Sequence, residues 1–290
     1  MQLSASELIL NADNSIYHLN LLPEDLAETI IVVGDQNRVP LVSKYFDTLE
    51  LKKGKREFIT HTGTLNGTRI SVISTGIGTD NIDIVMNELD ALVNIDFETR
   101  TIKEEKTSLD IVRIGTSGGI QPDIETDSFL LSEYAIGFDN VLHFYESEHI
   151  QHPEIQLAFI DHAAWSVFKS IPYVVESDVQ LTEKLRSDRV ISGFTGTNVG
   201  FYGPQGRRLR LLLEDNDLNS KLSSFEYNGM RITNLEMETS AIYGLAKLMG
   251  HRAASMNCIL ANRSTGQFSK DPVKTIDSLI KYTLEKLTAY

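Results

Sequence analysis

Two arginines and three glycine turns hold the first chemistry in this sequence. Val32-Val33-Gly34-Asp35-Gln36-Asn37-Arg38 continues directly from a run of buried-strand type. A glycine at such a point lets backbone N–H groups approach an anion, and an arginine adds charge and a planar donor fork. The plainer alternative is a strand-to-helix turn with a surface arginine. Ile111-Val112-Arg113-Ile114-Gly115-Thr116-Ser117-Gly118-Gly119 is the stronger case. An arginine inside an apolar strand is costly to bury and needs an anionic partner, either a ligand or a structural carboxylate. Thr116, Ser117 and the glycines behind it offer hydroxyls and exposed amides suited to phosphate oxygens. The remaining turn, Ser74-Thr75-Gly76-Ile77-Gly78-Thr79-Asp80-Asn81, has Asn81 where the last glycine of a dinucleotide fingerprint would fall, which leaves close helix–strand packing as its plain reading. Together the turns make an anion site of phosphate size at strand ends. No GxxxxGK[ST] run is present, so a nucleoside triphosphate site has no support.

Positioning such turns is the work of an α/β sheet. Val- and Ile-rich runs at 29–33, 68–74, 110–114, 128–135, 231–234 and 254–261 are too short for helices and end in turn residues. Helical patterns alternate with them. Ile82, Val85, Met86, Leu89, Leu92 and Val93 fall on one face, and Val273, Ile276, Ile280, Leu284 and Leu287 form a second stripe behind Asp271-Pro272, an N-cap followed by proline at N1. A third helix is expected from Glu236 to Met249, closed by Gly250. No repeat, low-complexity tract or linker divides the chain. The five glycines between Gly193 and Gly206 read by themselves as a mobile loop.

Composition removes several function classes. A formal net charge of -13 and a pI near 5.0 repel nucleic acid and anionic bilayers. The longest apolar stretches, such as Ile30-Ile31-Val32-Val33, fall far short of the roughly 20 residues of a membrane helix. The start lacks a basic n-region, and a cytoplasmic location is expected. Cys258 is the one cysteine, so neither an internal disulfide nor a zinc cluster is available, and it reads as a small buried hydrophobe. Glu146, His149 and His152 have helix-like spacing that hints at a metal, but Pro153 is adjacent and no fourth ligand follows. A solvated insertion without metal is expected there.

Taken in order, the turns resemble motifs of the nucleoside phosphorylase family. Gly34-Asp35-x-x-Arg38, Ser74-Thr75-Gly76-Ile77-Gly78 and Arg113-Ile114-Gly115-Thr116-Ser117-Gly118 follow the family's order, as do Asn234-Leu235-Glu236-Met237-Glu238 and Asn262-Arg263. The likeness runs from about Tyr17 to the C-terminus. It implies one three-layer α/β/α domain over 1–290 built on a central mixed, twisted sheet, with an insertion at about 143–192. It implies a phosphate site of Gly34, Arg38, Arg113 and Thr116, completed by Arg56 reaching across a dimer interface. His18 is implied to be lent in the same way, to the ribose 5′-hydroxyl. Glu236, Met237 and Glu238 resemble the ribose site, where a carboxylate suits sugar hydroxyls because it only accepts. On a helix, at most two of those three could face the sugar.

The base end resembles the family's uridine-specific branch. Phe201-Tyr202-Gly203-Pro204-Gln205-Gly206-Arg207 matches a segment in which Phe lies near the base while Gln and Arg bind uracil, with Gly118 beside them. A glutamine both donates and accepts, and an arginine stabilises charge on a departing base. The purine branch places an aspartate after the later strand, where this chain reads Leu260-Ala261-Asn262-Arg263-Ser264. The implied activity is phosphorolysis of uridine to uracil and α-ribose 1-phosphate, as in pyrimidine nucleoside salvage. Arg113, Gln205, Arg207 and Glu238 form the implied catalytic set, with phosphate as co-substrate and no metal or organic cofactor. The implied partners are those small molecules and further copies of the chain, at least a dimer and in the family a hexamer of dimers.

Departures from the pattern leave the arginines and Thr116 in place. Gln36-Asn37 replaces the usual Pro-Asp, and Ser117-Gly118-Gly119 replaces Thr-Gly-Ala. Relatives that hold a monovalent cation between subunits use a Glu matching Glu57 and a Ser where this chain has Asn81, so that site is not expected. A purine phosphorylase, a nucleosidase using water, and a non-catalytic nucleoside binder remain alternatives. Arg38, Arg56 and Arg113 weigh against the nucleosidase, since a water nucleophile does not need three cations.

Overall fold

β-Branched residues buried on both faces form the centre of the sheet. Its strands are β1 (Thr29–Val33), β2 (Thr48–Lys55), β3 (Phe58–Leu65) and β4 (Thr68–Ser74). A separate short ribbon, β5 (Ile95–Asp96) and β6 (Thr101–Ile102), precedes β7 (Asp110–Gly119), β8 (Phe129–Gly137), β9 (Tyr173–Glu176) and β10 (Val190–Thr197). The last strands are β11 (Glu226–Tyr227), β12 (Met230–Glu236), β13 (Arg252–Asn262) and β14 (Gln267–Phe268). This architecture comes from a computed structural model that describes residues 2–289.

The main sheet is 12-stranded and mixed, in the order β11-β12-β10-β8-β13-β7-β1-β4-β3-β2, with β14 on β13 and β9 on β8. β1 is parallel to β4 and β7, and β7 to β13, whereas β8 runs antiparallel to β13. The sheet does not stay open. β12 also pairs antiparallel with β7 through Asn234↔Gly119 and Leu235↔Gly118. That contact closes β7, β13, β8, β10 and β12 into a ring, so half of the sheet is a small barrel.

Helices cover both faces: α1 (Arg38–Ser43), α2 (Thr79–Asn94), α3 (Pro153–Ala163), α4 (Val179–Leu185), α5 (Leu218–Ser224), α6 (Thr239–Met249) and α7 (Pro272–Thr288). Alternation along β1 divides the core. Ile30 and Val32 pack with α2 and α6, while Ile31 and Val33 pack with α1, α4 and α7. A third cluster, with Phe159, Phe194, Phe225 and Ile232, fills the space between α3, α5 and the ring. The expected helix–sheet–helix architecture is therefore present.

Several local expectations change. α6 begins at Thr239, not Glu236; Glu236 ends β12 and Glu238 is the N-cap. Gly250 does close the helix, with φ 78°. Gly193 and Gly196 lie inside β10 and not in a loop. A Cβ on Gly193 would meet Leu130 Cδ2 at 2.6 Å and Thr233 Oγ1 at 2.7 Å, so tight barrel packing accounts for that glycine. The segment 143–192 is not a solvated excursion. It supplies α3, α4 and β9, and Phe159, Tyr173 and Leu185 are fully buried. His149 lies in a short 3-10 turn, and the His152 ring faces Glu154 and Glu176. Among the described residues no group of three or more His, Cys, Asp or Glu could hold a metal ion, and no helix is long and apolar enough to cross a membrane.

Two measurements check these packing statements. Asp271 accepts from the Lys274 backbone N–H at 3.0 Å, so Asp271→Ala is expected to cost about 1 kcal/mol and lower Tm by about 2 °C. An unchanged thermal midpoint would remove the cap. Burial pushes the Cys258 thiol up to about 12, so a thiol reagent at neutral pH should titrate no cysteine in the native protein and one in denaturant.

Candidate active site

Four strand ends and one loop converge on a cavity of about 880 Å³. After β1 come Gly34, Asp35 and Arg38; β7 supplies Arg113, Thr116, Ser117 and Gly118; β12 leads into Glu236, Met237 and Glu238. The end of β13 adds Leu260 to Arg263, and the loop after β10 adds Phe201, Gln205 and Arg207. The carboxyl ends of parallel strands are where an α/β sheet leaves such a crevice.

Arg113 is the electrostatic centre. Its guanidinium is buried, with Nη2 2.7 Å from Glu238 Oε2 and 3.1 Å from Glu236 Oε2. Nη1 donates to Asn257 Oδ1 at 2.7 Å and lies 3.5 Å from Ser255 Oγ. Burial works against its charge, but Glu236 and then Glu238 outweigh that and hold the guanidinium above its usual range. The partner that a buried arginine needs is thus a pair of structural carboxylates, and the group still borders the cavity. Gly115 makes room for it, because a Cβ there would sit 1.8 Å from Arg113 Nη1.

The two carboxylates differ in freedom. Glu236 accepts from the backbone N–H groups of Glu238 and Thr239, each at 3.0 Å, and from the hydroxyls of Thr197 at 2.6 Å and Thr239 at 2.9 Å. It ties the start of α6 to β10 and has little capacity left for a ligand. Glu238 accepts from Arg113 and from the Gly78 backbone N–H at 2.9 Å. Burial raises its pKa above the ordinary carboxylate range, Arg113 opposes that, and the Glu236 charge adds to it. The Gly76–Gly78 turn, read as plain packing, in fact clamps Glu238.

Arg38 differs from Arg113. It is buried, and its Nη1 donates to the Ile114 carbonyl at 3.0 Å, yet no carboxylate pairs with it among the described residues. Burial first, and the Arg113 charge second, depress it below the usual guanidinium range. An anion in the cavity would relieve both effects.

At the other end, Arg207 lies over the Phe201 ring, its guanidinium carbon 3.8 Å from the centroid. It donates to the Phe201 carbonyl at 2.7 Å and to Gln205 Oε1 at 2.5 Å. Gln205 is buried, and Arg263 donates to its backbone carbonyl. Burial, and then Arg207, bring Arg263 down to about 10. Asn262 is wholly engaged. Its amide donates to the Gln121 and Ile124 carbonyls at 2.8 and 2.7 Å and accepts from Ser264 N–H at 2.8 Å.

Behind the cavity runs a belt of buried polar side chains, with at least one from each strand of the ring. Arg113 on β7 reaches Asn257 on β13, whose amide lies 3.4 Å from Ser132 on β8. Ser132 and Thr195 hydroxyls are 2.5 Å apart, and Thr195 donates to Asn234 on β12 at 2.9 Å. Asn234 returns to β7 at Ser117 Oγ, 2.9 Å away.

A family model described as the phosphorylase superfamily matches residues 28–285. This chain belongs to that superfamily. The uridine phosphorylase of Thermococcus kodakarensis is 31% identical over 263 residues, covering 88% of this chain and 80% of that one. The uridine phosphorylase of Haemophilus influenzae is 29% identical over 281 residues, with 94% of each chain covered. A solved Trypanosoma brucei nucleoside phosphorylase, described as showing uridine phosphorylase activity, superposes with a TM-score of 0.86 at 28% identity, over 98% of this chain and all of that one.

The fold gathers Gly34, Arg38, Arg113, Thr116, Gly118, Phe201, Gln205, Arg207, Glu236, Met237 and Glu238 into this one cavity. It does not bring His18 or Arg56 there. Arg56 sits exposed at the tip of the β2–β3 hairpin with φ 57°. His18 is half-buried, its Nδ1 2.6 Å from Glu88 Oε1, and the same carboxylate takes the Leu19 backbone N–H at 2.8 Å. Asn257, Gly115, Gly78 and Arg263 escaped assignment. Asn257 was open to the logic that singled out Arg113, a polar group within an apolar strand.

Gly115→Ala should destabilise the protein by about 1–3 kcal/mol in denaturant unfolding, because overpacking must displace the Arg113 guanidinium. Gly34→Ala, whose Cβ would meet only Gly76 O at 3.4 Å, should cost less than about 1 kcal/mol. Equal costs would mean that Arg113 yields freely.

Proposed function

We propose that this chain is a uridine phosphorylase, releasing uracil from uridine with inorganic phosphate as nucleophile. The carrying observation is the pairing of two ends in one cavity: Arg38, a buried cation without a carboxylate, and Gln205 with Arg207 beside Phe201. Similarity to uridine phosphorylases along almost the whole chain supports the same reading.

Phosphate binds between Arg38, the Gly34 turn and Thr116, with the positive charge of Arg113 behind it. One phosphate oxygen attacks C1′ of the ribose while the bond from C1′ to N1 of uracil breaks. The electron pair of that bond leaves on uracil, where Arg207 and Gln205 stabilise the charge. Arg207 takes one lone pair of Gln205 Oε1, which leaves the second and the amide hydrogens for the base. Glu238 accepts from the ribose hydroxyls. Glu236 acts by holding Glu238 and α6, a revision of its expected sugar contact. Phosphate supplies the nucleophile, so this sequence of events calls for no metal or organic cofactor. Asn262, with its amide engaged on the backbone, has no proton to give a purine base, which favours the pyrimidine.

His18 and Arg56 enter from a second copy of the chain, so the working unit is at least a dimer, with a hexamer of dimers as the larger assembly. Uracil release should require phosphate and should not occur with inosine. Release without phosphate would mean hydrolysis, and inosine turnover would mean a misread base end. Arg207→Ala should lower kcat/KM for uridine by about 100-fold or more, as for loss of a donor to developing charge, with phosphate KM almost unchanged. Arg38→Ala should mainly raise phosphate KM. Parallel losses in both parameters for both variants would overturn the division of the cavity.

A further inference from the structure

We propose that Asn257, which does not line the cavity, is the positioning residue that fixes Arg113 and through it Glu238. The inference rests on the placing of phosphate and ribose given above, and its geometry is independent of that placing. Arg113 is held from two sides. Glu236 and Glu238 take Nη2, and Asn257 Oδ1 takes Nη1 at 2.7 Å. Without the amide, both carboxylates would still draw the guanidinium, but nothing of comparable strength would set its rotation. Ser255 Oγ, at 3.5 Å, is too distant to do so.

Asn257 is itself held. It is fully buried, with Nδ2 3.3 Å from Ser255 Oγ and 3.4 Å from Ser132 Oγ. An aspartate at this position would match its shape but place a third carboxylate on one arginine. Asparagine supplies a carbonyl acceptor without adding a further negative charge beside an anion in the cavity. Asn257 thus decides both where Arg113 points and how much of its charge a ligand meets.

Asn257→Asp separates this role from simple packing. The charged and titratable groups that act on Arg113, and through it on the new carboxyl, are Glu236, Glu238, Arg38 and the Tyr243 phenol, which donates to the Ser132 carbonyl. Protonated, the aspartic acid keeps the carbonyl acceptor and replaces asparagine. Ionised, it competes with phosphate for Arg113. Inorganic phosphate affinity would be measured by calorimetry from about pH 5.5 to about pH 8.5, each variant divided by wild type so that the titration of phosphate cancels. The expected result is a ratio near one at the acid end that worsens about tenfold or more with rising pH. Asn257→Val should show a large ratio without that slope. A flat ratio for Asn257→Asp, whatever its size, overturns the proposal.

If Asn257→Asp does not fold, Asn257→Val still carries the test. A crystal structure of Asn257→Val reads the geometry directly. Movement of the guanidinium by about 1 Å or more supports the proposal, and an unmoved Arg113 refutes it. Wild-type protein that binds no phosphate would instead refute the phosphorolysis reading, and the crystal structure would still judge Asn257.

Discussion

A guanidinium deprived of water sets the terms for the rest of the site. Arg113 cannot be buried alone, because the desolvation of an unpaired charge would cost more than a domain's whole stability margin. Two carboxylates, an asparagine and a glycine without a side chain all exist around it. Each of those groups is then constrained in turn: Glu236 by the start of α6, Glu238 by the Gly78 amide, Asn257 by two serines. The cavity wall is thus an electrostatic assembly with its rigidity built in, which suits a reaction in which positioning and charge stabilisation do the work.

The sheet has two styles of construction, and the site lies where they meet. Around β1 it is an ordinary layered α/β structure, with alternate side chains sent to opposite apolar cores. Across β7, β13, β8, β10 and β12 it curls until β12 meets β7. The ring's interior carries hydroxyls and amides as well as hydrocarbon, and every strand contributes at least one. Buried polar groups are tolerable only when satisfied, and here each satisfies the next. Such a belt binds the strands in register, because sliding one strand by a residue would turn its polar member to the other face.

Legibility in the sequence followed how local each cause is. β1 and β4 were read to the residue, since Val and Ile runs with turns at both ends need no distant information. The Asp271-Pro272 start of α7 was equally local. β2 was missed because Thr48–Lys55 is an edge strand rich in lysine, where charge protects an exposed edge and hides the strand pattern. β10 was hidden by Gly193 and Gly196, whose role becomes visible only once Leu130 and Thr233 are packed against them. Glu236 and Glu238 looked like helical neighbours because nothing in the sequence marks the change from strand to helix between them. The cavity residues were legible through resemblance to a family, whereas their hydrogen-bond economy was not, being a property of strands brought together from distant parts of the chain.

The belt has a sense of direction. Asn257 turns its oxygen to Arg113, so its amide hydrogens face Ser132 and Ser255. Thr195 gives its single hydrogen to Asn234 Oδ1, which obliges Ser132 to give its own to Thr195. Asn234 then turns its amide nitrogen to Ser117. Along this path, among the described residues, the hydroxyl hydrogens of Ser132 and Thr195 are committed and that of Ser117, which borders the cavity, is not. The positive charge of Arg113 therefore orders, bond by bond around the barrel, a hydrogen available for donation further along the same strand. A ligand atom lying against Ser117 meets a donor whose polarity was set by a path that leaves β7 at Arg113, runs round the whole ring and returns.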